Sequence, residues 1–322
     1  MSIHSTLNPG IYHGFNRKPP FFEGWYYKLV SADQRHKLAV IPGVILGQDE
    51  HAFVQVLDSA QETAGYLKFP AADFRASDQR FSIEIGENRF DDRHLHLALN
   101  HPHWQLTGDV HLGPLDPWPV TWSSPGIMGW YAWVPRMECY HGVLSFSHSL
   151  QGTLTLNGKV MDFTGGRGYI EKDWGQSFPS AWIWCQSNHF ANPSACLTAS
   201  VAVIPWVGRA FRGFIVGLML DGKLHRFATY SGARIESLAI FDDHVDWVLR
   251  NRHSRLILKA CRVQGGLLRG PTRLDMGQRV LETLNATVHV RLETLQGQVL
   301  FDEVGAHTGL EVMGDLPRLL RG

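Results

Sequence analysis

Apolar and polar residues alternate with a period of two along much of this chain. The alternation is clearest over residues 81–85, 95–99 and 288–292, where aliphatic or aromatic side chains occupy every second position. Such a pattern is typical of strands that bury one face. Turn dipeptides such as Asn157-Gly158 separate the β-rich runs, and the 32 glycines and 16 prolines are spread along the chain. No long window shows a helical apolar stripe, so the pattern predicts an all-β protein.

A short apolar motif occurs twice in the same sequence context. AVIPGV at 39–44 returns as AVIPWV at 202–207. Each copy follows a Trp-rich strand, WYYKLV at 25–30 in the first case and WIWCQS at 182–187 in the second. An ordered recurrence of this kind predicts the internal duplication of a β-domain.

The boundary between the two copies is expected near Lys172. A second pair of similar segments closes each half, ending in YIE at 169–171 and in GLE at 309–311. The prediction is therefore an N-terminal β-barrel domain at 1–172 and a C-terminal β-barrel domain at 173–322. Each has the length of a small closed barrel.

Composition limits the classes of function. Lys plus Arg equals Asp plus Glu at 30 each, so there is no basic excess to hold a polyanion and no nucleic-acid partner is expected. Hydrophobic residues make up 44% and charged residues 19%, as in a globular protein. We find no signal-peptide pattern and no apolar run long enough to span a bilayer, so we expect a cytoplasmic protein. Peripheral contact with a membrane and the oligomeric state stay open.

The cysteines lack the spacing of a metal site or of a disulfide framework. We expect four free, buried thiols. They are Cys139, Cys185, Cys196 and Cys261.

Two carboxylates lie close to tryptophan in the sequence and are candidates for acid catalysis. Glu23 and Trp25 point to the same face of a predicted strand, and Glu171 precedes Trp174 by three positions. A carboxylic acid against an aromatic wall tends to have a raised pKa, which suits a general acid. The alternative for each is a structural carboxylate paired with a cation such as Lys172.

Tryptophan is concentrated in the middle of the chain, with seven residues between 118 and 184. Indole faces can stabilise a carbocation or line a site for a polyprenyl chain, and the alternative is ordinary packing. The Pro-, Gly- and Trp-rich segment 114–140 is either a long loop between strands or a lid over an apolar ligand. His94-Leu-His96 and His101-Pro-His103 have no carboxylate or cysteine at a motif distance, so we expect no metal.

Several stretches together resemble the tocopherol cyclase family. They are FFEGWYYK at 21–28, SPGIMGWYAWVPRMECYHG at 124–142, GYIEKDWGQSFPSAWIWCQSNHF at 168–190, GPTR at 270–273 and GLEVMGD at 309–315. The resemblance spans essentially the whole chain. It implies two lipocalin-like antiparallel β-barrels packed side by side, in agreement with the duplication.

The resemblance also implies a chemistry. In that reaction the prenyl double bond of a phytyl-substituted hydroquinone is protonated, and the phenolic oxygen captures the tertiary cation to form a chromanol. The site must supply an acid, exclude water and offer aromatic faces, and we expect no cofactor. A related cyclase or hydratase reaction on another apolar, terpenoid-like substrate fits the same requirements. The alternative is a lipid or isoprenoid carrier without catalysis, and in a third interpretation the aromatic residues only join the barrels.

Particular positions take roles from the resemblance. Glu171 and Trp174 fall on the family's Glu-Lys-x-Trp-Gly motif, and Asp173 stands where the plant cyclases carry Asn. Glu171 and Glu23 are therefore expected as proton donors ahead of Asp173. The expected substrate-binding residues are Trp25, Tyr140, Trp174, Trp182, Trp184, Gln186, Asn188 and His189.

Overall fold

The structure is a computed structural model that describes residues 2–101 and 104–321. The first strands are β1 (Phe21–Val30), β2 (Lys37–Leu46), β3 (His51–Asp58), β4 (Thr63–Phe69), β5 (Phe74–Ala76), β6 (Ser82–Ile85), β7 (Asn88–Asp91), β8 (His94–His101), β9 (Trp104–Leu112), β10 (Val120–Thr121), β11 (Ser124–Pro125), β12 (Cys139–Leu156), β13 (Lys159–Asp162) and β14 (Arg167–Gly175). The later strands are β15 (Ala181–Ser187), β16 (Cys196–Trp206), β17 (Arg209–Leu220), β18 (Lys223–Ala228), β19 (Arg234–Ile240), β20 (His244–Arg250), β21 (Ser254–Cys261), β22 (Gly266–Gly270), β23 (Gln278–Thr294) and β24 (Val299–Gly314).

Helix is a minor component. The α-helices of the described residues are α1 (Ile3–Leu7) and α2 (Leu316–Arg321), and the 3₁₀ segments are Ala71–Asp73, Gly126–Trp133 and Thr229–Ser231. The all-β prediction is confirmed. None of the helices in the described part of the chain is long and apolar enough to cross a bilayer.

The first large sheet is antiparallel and open. Its strand order is β4-β3-β2-β1-β14-β12-β9-β8-β7-β6-β5, with β13 added to β12. Within the described residues, the end strands β4 and β5 are not paired with each other, so the sheet does not close as the barrel prediction requires. The 3₁₀ turn Ala71–Asp73 takes the chain out of the ladder after Phe69, and β5 then pairs with β6.

The second large sheet repeats the strand order of the first. It runs β18-β17-β16-β15-β24-β23-β21-β20-β19, so β15 stands where β1 stands, β16 where β2 stands and β24 where β14 stands. AVIPGV lies in β2, and all but the last residue of AVIPWV lies in β16. The common order supports the predicted duplication. This sheet is open as well, because β18 and β19 end the order of the described strands and the 3₁₀ turn Thr229–Ser231 separates them.

The chain forms two compact units. One comprises the residues up to Phe178 together with Leu267–Arg279, and the other comprises Pro179–Gly266 and the residues from Val280 onward. The division therefore falls after Phe178 rather than after Lys172, because β14 continues to Gly175 in its ladder with β1.

A segment from the second half of the sequence belongs to the first unit. The side chain of Gln55 donates to the Arg269 carbonyl oxygen at 2.9 Å and accepts from the Arg269 amide at 2.8 Å. Met276 packs with Phe22 and Phe53 in an apolar cluster of the same unit. These contacts fix Leu267–Arg279, which contains the GPTR stretch, against β1 and β3.

The segment 114–140 is a long connection that contains the short strands β10 and β11 and the 3₁₀ segment Gly126–Trp133. Trp118 is 1% exposed and stacks on Phe146, with ring centroids 5.6 Å apart. Trp122 is 62% exposed, and its carbonyl oxygen accepts from Trp133 Nε1. The segment is thus anchored at Trp118, exposed at Trp122 and buried again at Ile127 and Met137.

All four cysteines are free, as predicted. Cys185 and Cys196 are buried, whereas Cys139 is half-buried and Cys261 is exposed. The expectation of burial is therefore wrong for Cys261, which lies at the end of β21 with its side chain on the outer face.

Candidate active site

Strand β14 presents different chemistry on its two faces. Because side chains alternate along a strand, Lys172 and Trp174 project to one face, and Glu171 and Asp173 project to the other. The predicted residues of the first unit therefore form two clusters on opposite faces of one strand.

The first cluster is a buried ion pair with a histidine, formed by His13, Glu23 and Lys172. The Glu23 and Lys172 side chains are both 0% exposed. Lys172 Nζ donates to Glu23 Oε1, to the Ile11 carbonyl oxygen at 2.6 Å and to His13 Nδ1 at 3.1 Å. His13 Nε2 lies 3.0 Å from the Ser5 carbonyl oxygen, which selects the tautomer in which Nδ1 accepts. All three ammonium hydrogens thus have acceptors.

The electrostatics of this buried ion-pair cluster stabilise a charged Glu23. Burial alone raises the pKa of Glu23, but the attraction of Lys172 outweighs burial and holds that pKa below its usual range. This direction is opposite to the one expected from an aromatic wall. The His13 backbone amide also donates to Glu23 Oε2 at 2.8 Å and to Oε1 at 3.1 Å. Burial lowers the pKa of Lys172 to about 8, although Glu23 opposes the shift. Burial and the Lys172 charge also lower the pKa of His13, so the imidazole is neutral.

The predicted aromatic residues of the first unit surround this ion pair. Lys172 Nζ lies 4.6 Å from the ring centroid of Trp25 and 4.8 Å from that of Trp174. The Trp174 ring in turn stacks with His13 at 4.2 Å and with Tyr140 at 5.4 Å. The indoles therefore stabilise an ammonium ion by cation–π contacts. The contacts of Glu23 and Trp25 therefore fit the structural alternative, in which the carboxylate is paired with Lys172 and the indole packs beside it.

The second cluster joins a histidine to two carboxylates, and we name it the carboxylate–histidine cluster: His141, Tyr169, Glu171 and Asp173. The register of β12 on β14 places His141 opposite Asp173, and His141 Nδ1 lies 2.8 Å from Asp173 Oδ1. His141 Nε2 lies 3.6 Å from Glu171 Oε2. The Tyr169 hydroxyl donates to the same carboxylate oxygen.

This geometry suits proton transfer. Asp173 orients the imidazole through Nδ1, so the other ring nitrogen faces Glu171. The side-chain exposure is 7% for Glu171, 14% for His141 and 28% for Asp173. The imidazole therefore lies between a partly exposed carboxylate, to which it is hydrogen-bonded, and a carboxyl group that is largely shielded from water and 3.6 Å from Nε2.

His141, Glu171 and Asp173 are residue types that bind metal ions, and they lie close enough together to share one ion. One ligand atom each from His141, Glu171 and Asp173 lie within 4.8 Å of one another. Two hydrogen bonds already hold these side chains, one between His141 Nδ1 and Asp173 Oδ1 and one from the Tyr169 hydroxyl to Glu171 Oε2. The hydrogen-bonded arrangement is sufficient to account for the cluster, and we derive no step through a metal.

The His-x-His stretches have a different environment. His94 Nε2 and His96 Nδ1 lie 3.1 and 2.8 Å from Asp109 Oδ1 on the neighbouring strand. His101 ends β8, and His103 lies outside the described residues. The paired contact with Asp109 explains the first stretch as a cross-strand hydrogen-bonding group.

The predicted residues of the second unit lie on and just after β15. Trp182, Trp184 and Gln186 share one face of that strand, and all three are buried. Trp182 Nε1 donates to Glu311 Oε2 at 2.5 Å. The Trp184 ring packs on Gly309, where a Cβ would lie 2.6 Å from the ring.

Asn188 and His189 follow the end of β15. Their side chains meet at 2.8 Å between Asn188 Oδ1 and His189 Nδ1, and the His189 ring contacts the edge of His307 at 5.1 Å. These residues form a polar group at the end of the strand.

Sequence reasoning missed several polar residues of the two units. His141, His13 and Tyr169 were not singled out, although His141 lies within the stretch SPGIMGWYAWVPRMECYHG. Glu282 is 1% exposed and lies opposite Glu311 in the ladder between β23 and β24. The register between strands identifies these residues, and no spacing in the sequence does so.

Comparison with known proteins identifies the family. The profile of the family described as tocopherol cyclase-like matches residues 97–314, which include His141, Glu171 and Asp173. The chain belongs to this family. The matched residues include the later part of the first unit, from residue 97 onward, and nearly all of the second unit.

Among sequenced relatives, this tocopherol cyclase-like chain is 25% identical over 160 residues to the probable chloroplastic tocopherol cyclase of Oryza sativa subsp. japonica. The match covers 48% of this chain and 33% of the rice protein. This chain thus spans about a third of that relative's length.

Solved structures share the fold at low identity. A protein assigned provisionally as AttH from Nitrosomonas europaea superposes with a TM-score of 0.56 at 12% identity, covering 97% of this chain and 96% of that one. CghA in complex with Sch210972 superposes with a TM-score of 0.57 at 11% identity, covering 92% and 89%. At such identities the likeness concerns the fold alone.

Proposed function

We propose that this tocopherol cyclase-like protein closes a ring in an apolar, prenylated phenol by acid catalysis, with Glu171 as the proton donor. The observation that carries the proposal is the carboxylate–histidine cluster, in which His141 lies between Asp173 and a largely buried Glu171. Family membership supports the reaction class. The prenylated hydroquinone and the chromanol product are the specific substrate and product that we infer from the resemblance.

The proposed reaction is an isomerisation that conserves every atom. The proton of the Glu171 carboxyl group adds to the less substituted carbon of the prenyl double bond, which leaves a tertiary cation. A lone pair of the phenolic oxygen forms the new C–O bond to that cation, and the phenolic proton returns to the Glu171 carboxylate. No electron donor, acceptor or second substrate is needed.

The remaining residues of the cluster have supporting roles in this scheme. His141 exchanges the proton with Glu171, and Asp173 holds the imidazole in the orientation that this exchange needs. Tyr169 fixes one oxygen of the Glu171 carboxyl group, which leaves the position of the acidic proton defined. Glu23 is charged and bonded to Lys172, so we assign it a structural role.

The lipocalin-like character of the fold belongs to the same proposal. Both sheets enclose apolar side chains, and the second unit contains a continuous core from β15 to α2. We infer that apolar side chains of this fold receive the prenyl chain. A protein that only carries the lipid would need the apolar surface but not the proton-transfer geometry of the cluster.

The test is a product analysis with the purified protein. Incubation with a phytyl-substituted hydroquinone in D₂O is expected to give a chromanol that carries one solvent deuterium at the former alkene carbon. Glu171→Gln should lower the rate by at least about 100-fold, since general acid catalysis contributes about 10²–10⁴-fold. Glu87→Gln, an exposed carboxylate of the same unit, is the matched control and should leave the rate unchanged.

Two outcomes would contradict this function. Tight binding of the hydroquinone without any chromanol would identify a carrier. An unchanged rate in Glu171→Gln would show that another group supplies the proton, even if cyclisation occurs.

A further inference from the structure

A cleft in the first unit has three cations among its lining residues. Its volume is about 270 Å³. The lining includes Arg17, Lys18, Phe21, Arg136, Tyr140 and Trp174. Trp174 projects from the face of β14 opposite to Glu171, so this cleft is distinct from the carboxylate–histidine cluster.

The charges around the cleft are not compensated. Arg17, Lys18 and Arg136 border it, and no carboxylate is among its lining residues. Over residues 2–101 and 104–321, none of the three cations has a carboxylate oxygen within 4.0 Å. The nearest carboxylate along the chain, Glu138, is directed instead to Arg273 at 3.8 Å. Three like charges around one small space repel each other, and a bound anion would relieve that repulsion.

The loop that carries Arg136 is held in a strained conformation. Arg136 has a φ of 61°, in the left-handed region that costs a non-glycine residue about 1 kcal/mol or more. The Tyr140 hydroxyl donates to the Val134 carbonyl oxygen at 2.6 Å and accepts from the Met137 amide at 3.2 Å. Tyr140 therefore clamps the turn on both sides of Arg136. Strain that surrounding bonds maintain in this way is typical of a functional site.

The remaining walls of the cleft are apolar. Phe21, Met137 and the Trp174 ring border the space, together with the two prolines. Arg17 also acts electrostatically on the Tyr140 hydroxyl and opposes the rise in the pKa of Tyr140 that burial causes. The charged and the apolar walls thus meet at Tyr140.

We propose that this cleft binds a small ligand in which an oxyanion, a carboxylate or a phosphate, is attached to a compact apolar body. The oxyanion lies between Arg17 and Arg136, where guanidinium groups offer paired donors, and the apolar body lies against Phe21 and Met137. This site is separate from the proposed proton donor, and it does not rest on the proposed function.

Isothermal titration of the full chain tests the proposal with four probes: benzoate, phenyl phosphate, inorganic phosphate and the neutral isostere benzamide. We expect saturable binding of benzoate or phenyl phosphate, and at least tenfold weaker binding of benzamide and of inorganic phosphate. Affinity should fall as NaCl is raised, because the contacts are ionic and partly exposed. The preference between benzoate and phenyl phosphate identifies the oxyanion.

Variants separate binding from folding. Arg136→Gly relieves the left-handed strain, so it should keep or raise the thermal midpoint while weakening the anion at least tenfold. Arg17→Gln should weaken the anion to a similar degree, and Tyr140→Phe should weaken it by releasing the turn. Arg252→Gln, an exposed arginine of the second unit, is the matched control and should change nothing.

The proposal is overturned if none of the three anions binds, or if benzamide binds as tightly as benzoate. It is also overturned if inorganic phosphate binds as tightly as phenyl phosphate, because the apolar body then contributes nothing. Equal affinity of the wild type and Arg136→Gly for the bound anion would place the ligand elsewhere.

Discussion

Lys172 is a full charge held away from water, and its neighbours explain how. Its three hydrogens have acceptors in Glu23, Ile11 and His13, and its cationic head lies between two indole rings. Removing one partner of a buried ion pair is costly because the other charge remains without compensation. The burial of the Glu23–Lys172 pair therefore leads to a specific prediction about stability.

Lys172→Met should lower the free energy of unfolding by about 3–5 kcal/mol, because Glu23 is then buried with only His13 as its partner. Glu23→Gln should cost a similar amount. The double variant should cost much less than the sum of the two single variants, as a double-mutant cycle by urea denaturation would show. Additive losses would mean that the two side chains do not act as a pair.

A second residue-scale prediction concerns the orientation of His141. Asp173→Asn keeps the volume of the side chain but weakens the hold on His141 Nδ1, so the proposed cyclisation should slow by about 10-fold or more. Binding of the hydroquinone should be little changed, since the step affected is proton transfer. A loss confined to binding would argue against an orienting role. Rates and binding are measured separately by single turnover and by titration.

At the scale of the element, β14 shows how one strand can carry both a structural and a chemical site. Its even-numbered positions hold Lys172 and Trp174, and its odd-numbered positions hold Glu171 and Asp173. The equivalent strand of the second sheet, β24, also places a glutamate in its ladder, where Glu311 lies opposite Trp184. Each sheet therefore carries a glutamate on the equivalent strand, Glu171 on β14 and Glu311 on β24.

The packing of β12 on β14 leads to a prediction for Gly168. A Cβ at Gly168 would lie 2.2 Å from His148 Nε2, so Gly168→Ala must displace the imidazole and should lower the free energy of unfolding by about 1–3 kcal/mol. Gly24 on β1 is the matched control, because a Cβ there meets nothing closer than 3.7 Å. Equal stabilities of Gly168→Ala and Gly24→Ala, measured by urea denaturation, would refute this packing.

For the whole molecule, stability should depend on pH through buried histidine. Burial lowers the pKa of His148 to about 4, below the 6.5 of a free imidazole. The unfolded chain therefore takes up a proton as the pH falls below about 6.5, and the folded chain does so only near pH 4. Stability should fall with pH across this window, and His148 should account for about 2 kcal/mol between pH 7 and pH 5.

Urea denaturation at the two pH values measures this contribution. His148→Gln should be less stable at pH 7 but should lose about 2 kcal/mol less than the wild type on acidification. His253→Gln, at an exposed histidine, should show the same pH dependence as the wild type. An unchanged pH dependence in His148→Gln would show that His148 is not neutral in the folded state.

The sequence was a good guide to the fold and a partial guide to the site. Period-two alternation identified the strands, and the repeated AVIP motif corresponds to equivalent strands in two sheets of the same order. The closed barrels were not found among the described strands, because short 3₁₀ turns interrupt each ladder. Glu171 and Asp173 were singled out, whereas His141 was missed because its partners Glu171 and Asp173 lie on a different strand, about 30 positions further along the chain.

What the sequence by itself determined was the all-β class, the repeat and the family, since strand periodicity and motifs are local properties of the chain. The tertiary structure alone decided that Glu23 is paired with Lys172 and that Glu171 and Asp173 lie beside His141. Glu23 and Lys172 are 149 positions apart, and His141 and Asp173 are 32 apart. Each pair is set by strand register, and register depends on how distant segments pack together.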